Sequence, residues 1–210
     1  MSPYRKRILF YVTGGILLGF IILTVLVYLF PHSFIDREFS EEVQEHQHPF
    51  IDTSMKAVSS VGVFPYSVIL VLAAASLFYL FKFKKEALYV CFTLISGLVS
   101  SSLKILINRP RPTDSVVRIV EKAARQSFPS GHVLFYVLFF GFIALLMYHL
   151  KNIPKLFRRT VGSISALLIF SVPFSRVYLG AHWFTDVVGG FLMGMICLLI
   201  LSYLYLRKPA

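Results

Sequence analysis

The chain has 210 residues, is 57% hydrophobic and only 15% charged, and carries a formal net charge of +11. That is too apolar for a water-soluble domain of this length, and it points to a chain that crosses a bilayer several times. The positive charge is spread over short segments between apolar runs. This pattern fits a membrane surface and an anionic ligand, and it argues against a nucleic-acid module.

The first apolar run, 8–30, follows Arg5-Lys6-Arg7 and ends at Pro31. A secretory leader shares that basic start. This run is too long for a leader's apolar core and no small-residue cleavage site follows it, so it reads as a retained span. Gly14, Gly15 and Gly19 inside it predict close helix packing. Residues 31–60 form an acidic loop with Asp36, Glu38, Glu41, Glu42, Glu45 and Asp52. Within it Ser33 is a candidate cap, and Ile35, Phe39 and Val43 recur every four residues, which predicts an amphipathic helix lying on the membrane. His46 and His48 have no third ligand nearby in sequence and read as polar surface rather than a metal site.

Further spans are predicted at 61–81, 88–107, 132–150, 160–177 and 186–206, with Ser96, Gly97 and Ser100–102 as packing residues in the third. The expected fold is therefore all-α, a six-transmembrane-helix bundle forming one membrane domain over residues 1–210. Cys91 and Cys197 lie within spans and read as buried free thiols. The N-terminus, the turns at 82–85 and 151–159, and Arg207-Lys208 hold more than half of the 21 Lys and Arg residues. The positive-inside rule puts these, and both termini, in the cytoplasm. The loop 108–131 breaks that rule, with Arg109, Arg111, Arg118, Lys122 and Arg125 on the outer side. A bound polyanion is the simplest reason to keep such a cluster there.

Three segments then meet at one membrane face. Lys104, at the end of a span, offers a point charge, and Arg111 between Pro110 and Pro112 offers a planar fork matched to phosphate oxygens. Either could also be a charge that snorkels from a span end. Phe128-Pro129-Ser130-Gly131-His132 opens a helix, where backbone N–H groups and the dipole favour an anion; Pro and Ser are also ordinary helix starters. Arg176, His182 and Asp186 surround a short turn between two apolar runs. His182 and Asp186 are one helical turn apart, so the carboxylate can hold the imidazole N–H. Two histidines, an orienting carboxylate, several cations and an anion nest are the equipment of phosphoryl transfer through a covalent intermediate.

The motifs Lys104-x6-Arg111-Pro112, Pro129-Ser130-Gly131-His132 and Ser175-Arg176-x5-His182-x3-Asp186 resemble the three-part signature of the type 2 phosphatidic acid phosphatase family, in order and in spacing. The resemblance implies that His182 is the nucleophile, that Asp186 orients it, and that His132 protonates the leaving oxygen and then activates water. It implies that Lys104, Arg111, Ser130, Gly131 and Arg176 bind phosphate, with no metal and no cofactor. The implied activity is hydrolysis of a lipid phosphate or pyrophosphate at the extracytoplasmic face of the cell membrane. Undecaprenyl pyrophosphate, phosphatidylglycerol phosphate and phosphatidic acid are the candidate substrates, and membrane lipids the other expected partners. A lipid phosphotransferase is the alternative within the family, and a non-catalytic anionic-lipid transporter the alternative outside it. Ionisable groups gathered at one face argue against the transporter, which favours broken helices at mid-membrane.

Overall fold

In the computed structural model, residues 3–123 and 126–207 are described. Arg125 and Lys208, counted above among the basic residues, lie outside them. Helices in chain order are α1 Pro3–Leu29, α2 Phe34–Val43, α3 Pro49–Ser60, α4 Tyr66–Leu80, α5 Lys84–Phe92, α6 Ile95–Ile107, α7 Gly131–His149, α8 Lys155–Tyr178 and α9 Phe184–Leu206. No strand occurs among the described residues.

The helix α7 is the centre. Its sequence is apolar on every side, and such a helix is stable only when surrounded. Val133, Leu134, Tyr136, Leu138, Phe142 and Leu146 are all fully enclosed. The helices α8 and α9 pack along it, and α1 packs on the outer side of α9. The α7–α9 contact is close because glycines face α7. A Cβ on Gly190 would lie 2.5 Å from the Ser130 carbonyl oxygen, and one on Gly194 2.8 Å from Val137 Cβ. The glycines expected to pack, Gly14, Gly15 and Gly19, have nothing within 4 Å of such a Cβ, so that expectation is corrected. Gly97 is equally open, whereas Ser96 and Ser100 are buried. Cys91 and Cys197 are free thiols, but half-buried rather than buried as expected.

Among the described residues five helical stretches are long and apolar enough to cross a membrane. The predicted third span is one of them, as Lys84–Ile107, although α5 and α6 are separated by a tighter turn. There the amides of Thr93 and Leu94 donate to the carbonyls three residues back, Val90 and Cys91, as in a 3₁₀ turn. The predicted second span is shorter than expected: α4 has 15 residues, about 22 Å of helix. The apolar stretch before it, Val61 to Pro65, turns instead of coiling, because Gly62 and Pro65 both disfavour helix interior.

The acidic loop contains two helices. On α2 the buried residues are Asp36 and Ser40, followed by Gln44 just beyond its end, while Ile35 is 60% exposed. Phe39 and Val43 do pack on the core, Phe39 with its ring centroid 4.1 Å from that of Phe184. So the helix is amphipathic, but a polar stripe faces the protein and α2 rests on α8 and α9. Gln44 fixes that position: its Nε2 donates to the carbonyls of Arg118 and Tyr178 at 2.8 Å each, and its Oε1 accepts from the Arg118 amide at 3.0 Å. The helix α3 packs on α8.

Candidate active site

One end of the bundle gathers the end of α6, the start of α7, the end of α8, the start of α9 and the segments 108–123 and 126–130. The chain leaves α6 through Asn108 in the left-handed conformation, a common helix ending. It leaves α8 through Gly180, whose φ is +67° and whose missing Cβ would collide with the Arg118 carbonyl. Only glycine meets both demands without strain.

Lys104 sits on the last turn of α6, 7% exposed, and its ammonium donates to the carbonyls of Gln126 at 2.6 Å and Ser127 at 3.0 Å. Arg111 donates from Nη1 to the Ala181 carbonyl and from Nη2 to that of Gln126 at 3.3 Å. The same Nη1 lies 3.3 Å from His182 Nε2. Burial is the main cause that pushes the Arg111 guanidinium down to about 10, so it remains a cation at neutral pH.

His182 lies in the turn between α8 and α9 and is 2% exposed. Its Nδ1 is 3.4 Å from Asp186 Oδ2 and 3.5 Å from the Ser127 hydroxyl. A guanidinium can only donate, so Nε2 is the acceptor and Nδ1 carries the hydrogen that faces the carboxylate. Burial above all, then the charges of Arg111, Lys104 and Arg176, holds this imidazole well below its ordinary value of 6.5. At neutral pH His182 is therefore neutral, with its lone pair directed at the arginine.

Asp186 is completely buried. Its Oδ1 accepts from Arg109 Nη1 at 2.5 Å; its Oδ2 accepts from the Trp183 amide at 2.9 Å and from the Ser127 hydroxyl. Its carbonyl accepts from the Ser130 amide at 2.9 Å, which ties the start of α7 to the start of α9. Ser130 Oγ and His132 Nε2 are buried side-chain atoms with no hydrogen-bond partner among the described residues. Beside them the first-turn N–H groups of α7, beginning at Gly131, have no acceptor within the helix. Donors without acceptors in a basic recess are the requirement for an anion. The charges of Arg176, Arg111 and Lys104, together with His182, all act on His132, so the site residues chosen from sequence share one recess.

Arg176 is 1% exposed and is paired with a carboxylate. Its Nη1 donates to both carboxylate oxygens of Glu121 at 3.1 Å and to the Ser59 hydroxyl. Its Nε is a buried donor with no partner among the described residues. Two other arginines of the segment after α6 are likewise paired with carboxylates. Arg118 pairs with Asp52 at 2.5 Å, and Arg109 pairs with both Asp36 and Asp186. A cavity of about 320 Å³ opens beside Arg111, also lined by Glu121, Lys122, Gly180 and Ala181.

Sequence reasoning missed Asp36, Ser59, Gly62, Glu121 and Ser127, and it counted Arg109 as part of a ligand-binding cluster. Asp36 and Ser40 one turn later form a polar stripe on α2 beside the apolar one of Ile35, Phe39 and Val43. A Cβ on Gly62 would lie 2.5 Å from His132 Cδ2, so this glycine admits the histidine ring. His48 caps α3, its Nδ1 accepting from the Phe50 amide at 3.1 Å. Among the described residues no three His, Cys, Asp or Glu side chains are grouped to hold a metal ion.

A sequence model described as the PAP2 superfamily matches residues 85–209. The chain belongs to that superfamily. Among its relatives is phosphatidylglycerophosphatase B of Bacillus subtilis (strain 168), 28% identical, with 87% of this chain and 89% of that one aligned. Undecaprenyl-diphosphatase BcrC of the same organism is 30% identical, with 77% of each chain aligned. A crystal structure of a transmembrane PAP2-type phosphatidylglycerolphosphate phosphatase from Bacillus subtilis superimposes with a TM-score of 0.76 at 24% identity, covering 91% of this chain and 94% of that one. The superposition establishes a PAP2 membrane fold. All the residues selected from sequence, Lys104 to Asp186, fall inside the PAP2 match, whereas Asp36, Ser59 and Gly62 precede it.

Proposed function

We propose that this chain is a multi-pass membrane phosphatase that removes phosphate from a lipid phosphate or pyrophosphate through a phosphohistidine. The observation that carries the reading is His182: neutral, buried, its Nδ1 turned to Asp186 and its Nε2 facing the Arg111 guanidinium. A phosphoryl group held by that arginine stands in front of the lone pair that attacks it.

Nε2 forms a bond to phosphorus while the bond from phosphorus to the lipid oxygen breaks. His132 gives that oxygen a proton. Water then attacks the phosphohistidine, His132 takes its proton, and the P–N bond breaks to release phosphate. Asp186 stabilises the positive charge that builds on the attacking imidazole, as in other carboxylate–histidine pairs. Lys104, Arg111, Ser130 Oγ and the first-turn N–H groups of α7 surround the phosphoryl oxygens. Arg176 joins them by exchanging Glu121 for phosphate. A phosphate dianion beside His132 favours the protonated form that donation needs.

The names of the relatives support a lipid diphosphate or a phosphatidylglycerol phosphate as substrate, with phosphatidic acid as the third candidate. The charge distribution supports six spans, with α4 as the short one, cytoplasmic termini and a site that faces outward. The test is phosphate release by detergent-purified protein from a panel of these lipids, with excess EDTA present. Release from at least one lipid is expected. No release from any of them, or a loss under chelator that zinc or magnesium restores, overturns the reading.

A further inference from the structure

Asp36 lies on α2, ahead of the PAP2 match, yet it is 1% exposed and belongs to the same hydrogen-bonded cluster as the nucleophile. Its Oδ2 accepts from Arg109 Nη2 at 2.6 Å and from the Thr185 hydroxyl at 2.9 Å; its Oδ1 accepts from the Thr185 amide at 2.8 Å. Thr185 is the second residue of α9, so the carboxylate caps that helix from a distant part of the chain. The N-cap residue itself, Trp183, has no side chain suited to the task. The other arm of Arg109, Nη1, holds Thr185 Oγ1 at 2.7 Å and Asp186 Oδ1 at 2.5 Å. The Pro31 carbonyl accepts from Nε at 3.2 Å and Nη2 at 2.9 Å, which fixes the guanidinium plane. The order of contacts is Asp36, Arg109, Asp186, His182, and the four side chains are nearly or fully enclosed.

The charges make this order consequential. With Arg109 alone as its neighbour, Asp186 would share its negative charge with a cation and hold an imidazolium weakly. With Asp36 on the far side, the three groups together keep the single negative charge that His182 needs in the transition state, and Asp186 is also fixed in orientation. We propose that Asp36 is a positioning residue for the nucleophile: through Arg109 and Thr185 it sets the orientation and the effective charge of Asp186. This rests on His182 being the attacking group.

The experiment compares wild type, Asp36→Asn, Asp36→Glu, Asp186→Asn and the double variant Asp36→Asn/Asp186→Asn on one lipid phosphate across pH. Rates are divided by the amount of folded protein, read from size-exclusion chromatography and thermal unfolding in detergent, so a loss of folded enzyme does not mimic a loss of rate. The ionisable groups around His182 are Asp186 from α9, Lys104 from α6, Arg111 from the segment after it, Arg176 from α8 and His132 from α7, and Asp36→Asn alters none of them directly. Removing the charge of Asp36 lets Arg109 weigh more on Asp186, so the imidazolium is less stabilised. The acid limb of kcat/KM should move to lower pH, and kcat should fall by about 10- to 100-fold with KM little changed. Asp36→Glu, which keeps the charge, should leave the limb in place. The double variant should be scarcely slower than Asp186→Asn, because both changes act on one group. An unmoved limb in Asp36→Asn, or rate losses that simply multiply, overturns the proposal. If Asp36→Asn does not fold, Thr185→Val removes only the hydroxyl that bridges Asp36 and Arg109 and keeps both charges; its limb should stay in place while kcat falls with KM little changed, and an unchanged kcat there overturns the proposal equally. If wild type itself releases no phosphate from any lipid, the catalytic reading fails and takes this one with it. If wild type turns over and the limb stays in Asp36→Asn, only the positioning role fails.

Discussion

At the scale of single residues, the two histidines differ in their neighbours. His182 faces a carboxylate and a guanidinium from opposite sides, whereas His132 Nε2 has no hydrogen-bond partner among the described residues. A carboxylate fixes the tautomer of a nucleophile, and a ring nitrogen left open can meet a leaving oxygen or a water. His182→Ala should abolish both turnover and phosphoryl-enzyme, read by acid-quenched trapping of radiolabelled phosphate and peptide mapping. His132→Ala should slow turnover by about 10²–10⁴-fold, and less for an aryl phosphate, whose leaving group needs little protonation. Label that maps to His132, or that persists in His182→Ala, reverses the assignment. The pH dependence follows from burial and the surrounding cations, which hold His182 below its ordinary range. It must be neutral to attack, so activity rises with pH through a value below 6.5 and is already high in mildly acidic buffer. An acid limb centred at or above that value would contradict the site as described.

At the scale of elements, the α7–α9 contact determines whether these residues meet at all. The Ser130 amide donates to the Asp186 carbonyl, and Gly190 lies against the Ser130 carbonyl. Gly190→Ala sets a methyl group against backbone that cannot swing aside, so it should destabilise by about 1–3 kcal/mol and reduce turnover. Gly15→Ala, on a helix face with nothing within 4 Å, should change neither; thermal unfolding in detergent and phosphate release measure both. These two glycines also mark where the sequence was legible. Long apolar runs carry enough signal for the helices α1 and α7–α9, and motif spacing for gathering the segments from Lys104 to Asp186 at one end of the bundle, because both depend on local order. A glycine in an apolar helix looks the same whether it faces lipid or protein, so the wrong glycines were chosen. Ile35, Phe39 and Val43 gave the period of α2 but not its buried side, because its polar stripe is stabilised by Arg109 and Gln44 contacts that no local pattern reveals. The short α4 was misread for a related reason: residues 61–65 are apolar enough for a span, and only Gly62 and Pro65 indicate the turn.

At the scale of the whole molecule, the expected orientation puts the segment 108–131 outside the cell. Ser115 is exposed on that segment. Ser115→Cys should react with an impermeant thiol reagent in intact cells, and labelling only after permeabilisation would reverse the topology. The cluster at Asp186 has one more consequence, for biosynthesis. A chain emerges from its N-terminus, so Asp36 and then Arg109 enter the nascent protein long before Asp186 arrives at the head of α9. Until α9 inserts, Arg109 lacks its second carboxylate, α7 lacks the helix that anchors its first turn, and His182 lacks the carboxylate that faces its Nδ1. The cluster around Asp186 is therefore incomplete through most of the synthesis of this stretch, and it closes only when α9 docks.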